Sequence, residues 1–536
     1  MRLAGSTVPV MEAEKLARLR LVITENLRVQ RGGVTSVPYI DTNNALTDIC
    51  ARQNHAVFAR RGCGKTLLLH HSQTKLGDRT KAIYLNCEDF KTHSFPNVLI
   101  EILDAVFGEL EKNLRSWFGK QAKSKKIIGE IRTMLSKYRV SADNEEQKVK
   151  ESESETHETA VKAEAGVKPS KILPASAGFG FSESIQSKAA VEREYVTRDS
   201  KLQKLNMDLP MLKASIREFF ESQGRVDAVL IQIDDFYHLR RTDQPHVMDY
   251  VHRLCKDLPL YFKVATLRHA SVLYADRNGQ PTGAQERHDY QPINIDFTFQ
   301  DYRRTENQVR KIFHEFGKLA QCTPDEVDEL FKGDGFSRLV LTGGGVPRDC
   351  LSLFLEALGK VSSGDGRIGK DDIRALSAGN FERRIEELKH DCQRNEQDTL
   401  LRGIYVLREF IDDKKTNVFM VEERLLQQHD ALRGLIYRLL DYRIIHAVGS
   451  ALTHKSQPGT FQAFAIDAGG YAHMRKLQGR FTEIDLADPD AREKSRSAPV
   501  LNKEFIDSVW PKTPEDVEAA LKDGGERDVI VEAPPS

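Results

Sequence analysis

The chain has 536 residues, 40% hydrophobic and 29% charged, with Lys plus Arg and Asp plus Glu equal at 79 each. That length holds about two to four domains. The composition excludes a wholly disordered chain, and the balanced charge excludes a surface that coats nucleic acid throughout.

The seven cysteines are scattered without a C-x-x-C pair, which argues against a zinc site or disulfide frame and for reduced thiols in a cytoplasm. There is no run of about 18 apolar residues and no signal-peptide core, so neither membrane nor secretion is expected. Residues 1–37 are expected as a helical lead-in, with Leu16, Leu19, Leu21 and Ile23 set among Arg and Glu.

An α/β domain is expected over 38–300. Its main feature is Val57-Phe-Ala-Arg-Arg-Gly-Cys-Gly-Lys-Thr-Leu-Leu-Leu69, which reads as a buried strand, a tight turn and a helix starting at Lys65-Thr66. That is the shape of a P-loop. Consecutive backbone N–H groups curl around nucleotide phosphates, Lys65 adds a point charge at the β/γ-phosphates, and the Thr66 hydroxyl reaches Mg²⁺. The pattern G-x-x-x-x-G-K-[ST] wants Gly at 59. Ala59 adds one methyl there, while Gly62 and Gly64 remain where the backbone approaches phosphate most closely. The expected ligand is ATP or ADP with Mg²⁺, held by Ala59, Arg60, Arg61, Gly62, Cys63, Gly64, Lys65, Thr66 and Leu67. Oxidation of Cys63 would block phosphate; its plainer role is a small tolerated side chain.

A second strand is expected at 81–85. A helix follows, with Leu99, Ile102, Leu103, Val106, Phe107 and Leu110 on one stripe, and then a basic helix at 120–139. About 141–200 the chain is charged or Gly-containing and poor in large apolar residues. It is expected to be a partly disordered insertion, the alternative being a hairpin that orders against a partner. A helix is expected at 205–222 and strands at 228–233, 261–266 and 293–299. Strands alternating with helices imply a doubly wound parallel sheet.

Asp234-Asp235 ends the apolar strand 228–233. A carboxylate there lies beside the P-loop at the crevice. Asp234 is expected to hold Mg²⁺ through water, as a hard oxygen ligand, and Asp235 to orient or deprotonate the attacking water. Thr266-Leu267-Arg268 ends the next strand, where Arg268 has the planar fork to grip a γ-phosphate. Shortly before the last strand lie Arg287 and, behind it, Arg277; neither has a motif around it, so each reads as an ordinary solvated Arg rather than an arginine finger.

Residues 301–395 are expected as a helical lid, with Gly343-Gly-Gly-Val-Pro-Arg348 opening a helix. Over 396–478 the pattern predicts helices at 400–411, 418–426 and 431–442, then strands at 443–448 and 460–466, a winged-helix arrangement. If this unit binds DNA, Arg433, Arg438, His454 and Lys455 would face it; the opposing reading is a unit that packs on the nucleotide domain and binds no DNA. Residues 479–536 read as a charged tail.

Taken together, these motifs resemble the AAA+/STAND group of P-loop ATPases, and by pattern its origin-recognition-type (initiator) members, over roughly 40–470 apart from the insertion. The resemblance implies an ASCE-type α/β core with a helical lid and a winged helix. It implies Pro347 near adenine and Arg348 as a sensor of the γ-phosphate. Active hydrolases of this class carry Glu where this chain has Asp235, so slow hydrolysis is implied. The expected function is an ATP-dependent switch acting on assembly, double-stranded DNA or a partner. The alternatives are the ATPase of an antiphage or signalling system working through a separate effector, as a homo-oligomer or with that effector, and a scaffold with negligible turnover.

Overall fold

The computed structural model describes residues 11–28, 37–41, 43–114, 117, 122–139, 201–277, 279–361, 366–392, 394–471 and 481–510. The expected insertion at 141–200 falls outside them. The chain begins with α1 (Ala13–Asn26), α2 (Ala45–Cys50), β1 (His55–Phe58), α3 (Lys65–Lys75), β2 (Thr80–Asn86) and α4 (Asn97–Asn113). Helices over 122–139 (α5) and 201–221 (α6) follow. Then come β3 (Ala228–Asp234), α7 (Gln244–Cys255), β4 (Leu260–Thr266), a hairpin of β5 (Tyr274–Arg277) and β6 (Gln280–Gly283), and β7 (Gln291–Asn294).

Five strands form one sheet in the order β2-β3-β4-β1-β7, all parallel. Parallel neighbours need crossover connections, and the helices supply them on both faces. Side chains alternate across the sheet. Ala56, Phe58, Ile231 and Val264 face a core shared with α4 to α7, while Val57, Ala59 and Ala265 face α2 and α3. Gln232, the polar exception in β3, points toward α3, where its amide donates to Leu69 O (3.1 Å) and Ser72 Oγ (2.7 Å). Because the register aligns Asn86 with Asp234, and Phe58 with both Thr266 and Asn294, the polar strand ends share one edge. A parallel five-stranded sheet covered this way fits an α/β P-loop NTPase.

The helical region comprises α8 (Tyr302–Leu319), α9 (Pro324–Asp328), α10 (Gly335–Thr342), α11 (Pro347–Val361) and α12 (Lys370–Asp391). Helix α1 returns to join it. Leu19 and Ile23, at helical spacing, are buried there, but Leu21 points outward at 56% exposed.

The last unit is α13 (Arg394–Lys414), β8 (Val418–Glu422), α14 (Glu423–Gln428), α15 (Asp430–Asp441), β9 (Ile445–Thr453) and β10 (Thr460–Ile466). Its sheet runs β8-β10-β9 and is antiparallel. The helix expected at 418–426 is instead a strand that turns into a short helix. Val418-Phe-Met-Val421 is buried throughout, and β-branched and aromatic side chains suit a pleated surface. Residues 481–510, expected as a tail, pack back onto this unit: Met420 N–H donates to Pro499 O (2.9 Å) and Leu501 N–H to Met420 O (2.8 Å).

Met420→Pro removes one of these donors and leaves Pro499 O without it. We expect a loss of about 1–3 kcal/mol for the orphaned carbonyl, on top of about 2–5 kcal/mol for the fully buried Met420 side chain, measured by urea unfolding, with faster amide exchange at Leu501. A helix over 418–426 would instead leave Leu501 exchange unchanged.

Candidate functional site

The turn between β1 and α3 has the conformation that its glycines permit. Gly62 and Gly64 have φ of +88° and +91°, values that L side chains avoid. A Cβ on Gly62 would also meet Val346 Cγ1 at 2.9 Å and Arg348 Cβ at 3.0 Å. The bare glycine therefore lets the start of α11 lie on the loop. Lys65, 6% exposed, donates to Ala59 O (3.0 Å) and Arg60 O (3.3 Å).

Thr66 Oγ1 donates to Asp234 Oδ2 at 2.6 Å, and the Tyr84 hydroxyl to the same oxygen at 2.8 Å. The strand ends thus bring together the residues expected to serve a metal. Burial, then the neighbouring Asp235, push the Asp234 carboxyl up to about 6. Asp235 sits at a left-handed φ of 50°, a conformation Asp tolerates better than most residues, and its N–H donates to Asp234 Oδ1 (2.9 Å).

A cavity of about 570 Å³ opens over the loop. It is lined by Arg61 through Leu67, by Asp235, and by Gly345, Pro347 and Arg348 from the helical region. Ala59, Arg60 and Asp234 lie behind this wall. Arg268 does not line it either: its guanidinium pairs with Glu286 (2.9 Å) and lies 4.4 Å from the Phe58 ring centroid. Reading a γ-phosphate would require Arg268 to leave both. Arg287 lies in a turn at a left-handed φ of 68°, its N–H donating to Tyr290 O (2.7 Å). Arg348 faces the cavity between Asp349 (3.9 Å) and Glu387 (3.7 Å). Burial holds its pKa below the usual value, against the pull of Asp349. Its Nη2 has no hydrogen-bond partner among the described residues.

Behind the cavity lies a buried charge network. Arg60 binds Asp296 through Nε (2.7 Å) and Nη2 (2.9 Å), Phe297 O (2.8 Å), Gly344 O (2.9 Å) and His446 Nδ1 (3.2 Å). Since Arg can only donate, His446 Nδ1 accepts and the ring proton sits on Nε2, which donates to Asp467 (3.0 Å). Asp467 also pairs with Arg384 of α12. Arg384 binds Asp349 (3.1 Å), and so does Arg443 (2.7 Å), which also pairs with Glu387. Arg61 pairs with Asp391 at the end of α12. From α15, Asp441 accepts the backbone N–H groups of His269 (2.6 Å) and Ala270 (2.7 Å), just past β4. Cys63 Sγ contacts Asp296 (3.4 Å), and burial pushes its thiol well up. The shift favours the protonated thiol over the thiolate.

Several lining residues carry no motif. Val37, Tyr39 and Ile40 precede the P-loop, and Gln308, Ile312 and Phe316 come from α8. Asp296 does carry a signal: like Asp234 it is an Asp just after a strand's isoleucines, in Ile293-Asn-Ile-Asp296.

No family model matches the chain, and no curated protein matches it. Solved structures similar to the chain include the following two. The ORC1 protein of Aeropyrum pernix, in complex with DNA, is 14% identical over 88% of this chain and 94% of that one, with a TM-score of 0.29. A Walker-type ATPase of Pyrococcus abyssi is 12% identical over 81% and 95%, with a TM-score of 0.35. The fold assignment rests on strand order and loop geometry, not on these likenesses.

Burial, then the nearby Arg384 and Arg60, lower the His446 pKa from 6.5 to about 4, against the pull of Asp467. The unfolded chain therefore binds this proton first, so the histidine's contribution is present above pH 6.5 and lost as pH falls toward 4. His446→Gln keeps an acceptor for Arg60 but cannot titrate. We expect the stability gap between the two proteins to change by on the order of 3 kcal/mol between pH 7 and pH 4, in the variant's favour on acidification. A pH-independent gap in urea unfolding would contradict this.

Proposed function

We propose that the chain is an ATP-binding, slowly hydrolysing switch of the AAA+/STAND kind, in which bound nucleotide sets the position of the helical lid and of a C-terminal winged helix. One observation carries the reading: P-loop and lid line the same cavity, and Arg348 of the lid stands directly on Gly62 of the loop. Any triphosphate in the loop therefore meets the lid. Hard oxygen donors from Thr66 and Asp234, together with nucleotide phosphates and water, suit Mg²⁺. The ion would neutralise phosphate charge. Lys65 would leave the Ala59 and Arg60 carbonyls for the β- and γ-phosphates. Asp235 would orient a water at the cavity wall. Arg348 would exchange its long contacts to Asp349 and Glu387 for the γ-phosphate, and Pro347 would pack near the base. Arg268 is a second γ-phosphate reader only if it turns from Glu286.

The output we propose is contact with a partner protein or a second copy, the arrangement of a signalling or defence ATPase. The supporting observation is the α13–β10 unit folded onto the α/β domain through Arg60–His446 and Asp441. The DNA reading gains less support. Arg433 is paired with Asp430 (2.6 Å), Arg438 with Glu396 (3.3 Å) and Lys455 with Glu493 (3.1 Å), so these cations are matched by carboxylates. Salt-sensitive duplex binding that disappears with Arg433→Ala and Lys455→Ala would reverse this preference.

Lys65→Ala is expected to weaken Mg-ATP binding by on the order of 100-fold or more, measured by calorimetry, with the fold intact by circular dichroism. Unchanged ATP affinity in that variant would remove the reading.

A further inference from the structure

Besides the phosphate loop, the cavity is lined by three residues of α8. Gln308, Ile312 and Phe316 fall at i, i+4 and i+8 on one face of that helix, and all three line the cavity. This stripe is what a helix presents to an apolar neighbour, and Gln308 is its one polar member. Its side chain is not there for solvent, being 8% exposed.

Two facts fix what its amide does. Nε2 donates to the backbone carbonyl of Ile40 at 3.3 Å. A carbonyl can only accept, so the NH₂ end must face Ile40 and the oxygen the other way. That oxygen, Oε1, is buried and has no hydrogen-bond partner among the described residues. Buried acceptors are rarely left unpaired. Val37, Ile40, Pro347 and Leu351 add apolar lining to the same cavity, the kind of surface that suits a purine ring.

We propose that Gln308 is the base-reading residue of the nucleotide site. Its Oε1, covered in this structure, turns to the cavity and accepts a hydrogen bond from the amino group on C6 of adenine, while the NH₂ end stays on Ile40 O. A purine with a keto oxygen at C6 places acceptor against acceptor and is rejected. The inference rests on the nucleotide reading above and adds to it a residue and a discrimination.

The test compares Mg²⁺ complexes of three triphosphates binding to the full chain by calorimetry: ATP, ITP with oxygen at C6, and purine riboside triphosphate with hydrogen at C6. The wild type is expected to bind ATP roughly 10- to 100-fold tighter than ITP, with purine riboside triphosphate also weaker than ATP. Gln308→Leu is expected to bring ATP down to the ITP level while ITP affinity stays within about threefold, which also shows an intact pocket. Equal binding of ATP and ITP by the wild type, or an unchanged ATP-to-ITP ratio in Gln308→Leu, overturns the proposal. If the variant loses all three ligands through misfolding, the wild-type comparison of ATP with purine riboside triphosphate decides: equal affinities overturn the proposal and a loss supports it. Failure of all three to bind the wild type removes the nucleotide reading itself, and this inference with it.

Discussion

A guanidinium shut inside a protein must find acceptors for its donors, and Arg60 finds them in three separate parts of the chain. Asp296 and Phe297 follow the last strand of the sheet, Gly344 precedes the lid helix that bears Arg348, and His446 stands in the C-terminal unit. Breaking one partner of such a buried pair typically costs about 3–5 kcal/mol, because the other charge is stranded. The phosphate loop is therefore not a self-contained turn. Its second residue is tied to the end of the sheet, to the helical region and to the C-terminal unit.

The rest of the site follows from that constraint. Gly62 has no side chain because the lid rests where one would be. Arg384 and Arg443 share Asp349, the residue beside Arg348, so the cation facing the cavity is attached to the same charge chain that begins at Arg60. A change in what Arg348 touches is felt first by Glu387 and Asp349, and through them by Arg443 and Arg384. Packed networks of this kind favour discrete arrangements over gradual deformation.

Sequence reading was strongest where a feature is local. The strand–turn–helix at Val57–Leu69, the apolar run ending in Asp234, and the stripe from Leu99 to Leu110 each announce themselves within a few residues, and the structure places them as expected. It was weakest where short apolar runs are ambiguous. Val418–Glu422 fits a helix or a strand by pattern alone, and only pairing with β10 decides. Charge misled at 481–510, where Leu486, Leu501 and Ile506 among the acidic and basic residues are what buries the segment. Gln308, Tyr39 and His446 were unreadable for another reason. Each acts on residues tens to hundreds of positions away, and no spacing within one segment reports that.

The cavity wall has a further consequence for how the molecule comes to exist. Val37 and Tyr39 precede the P-loop, while Ile312, Phe316 and Leu351 belong to helices completed far later in synthesis. During translation the phosphate loop emerges long before the surfaces that enclose it, and contacts this distant in sequence form slowly because of the entropy of closing so large a loop. A small molecule that fits only the finished cavity acts as a ligand of the completed fold alone, and draws the chain toward that state by mass action. The same enclosure that would let a nucleotide move the lid thus makes the nucleotide a late participant in maturation of the chain.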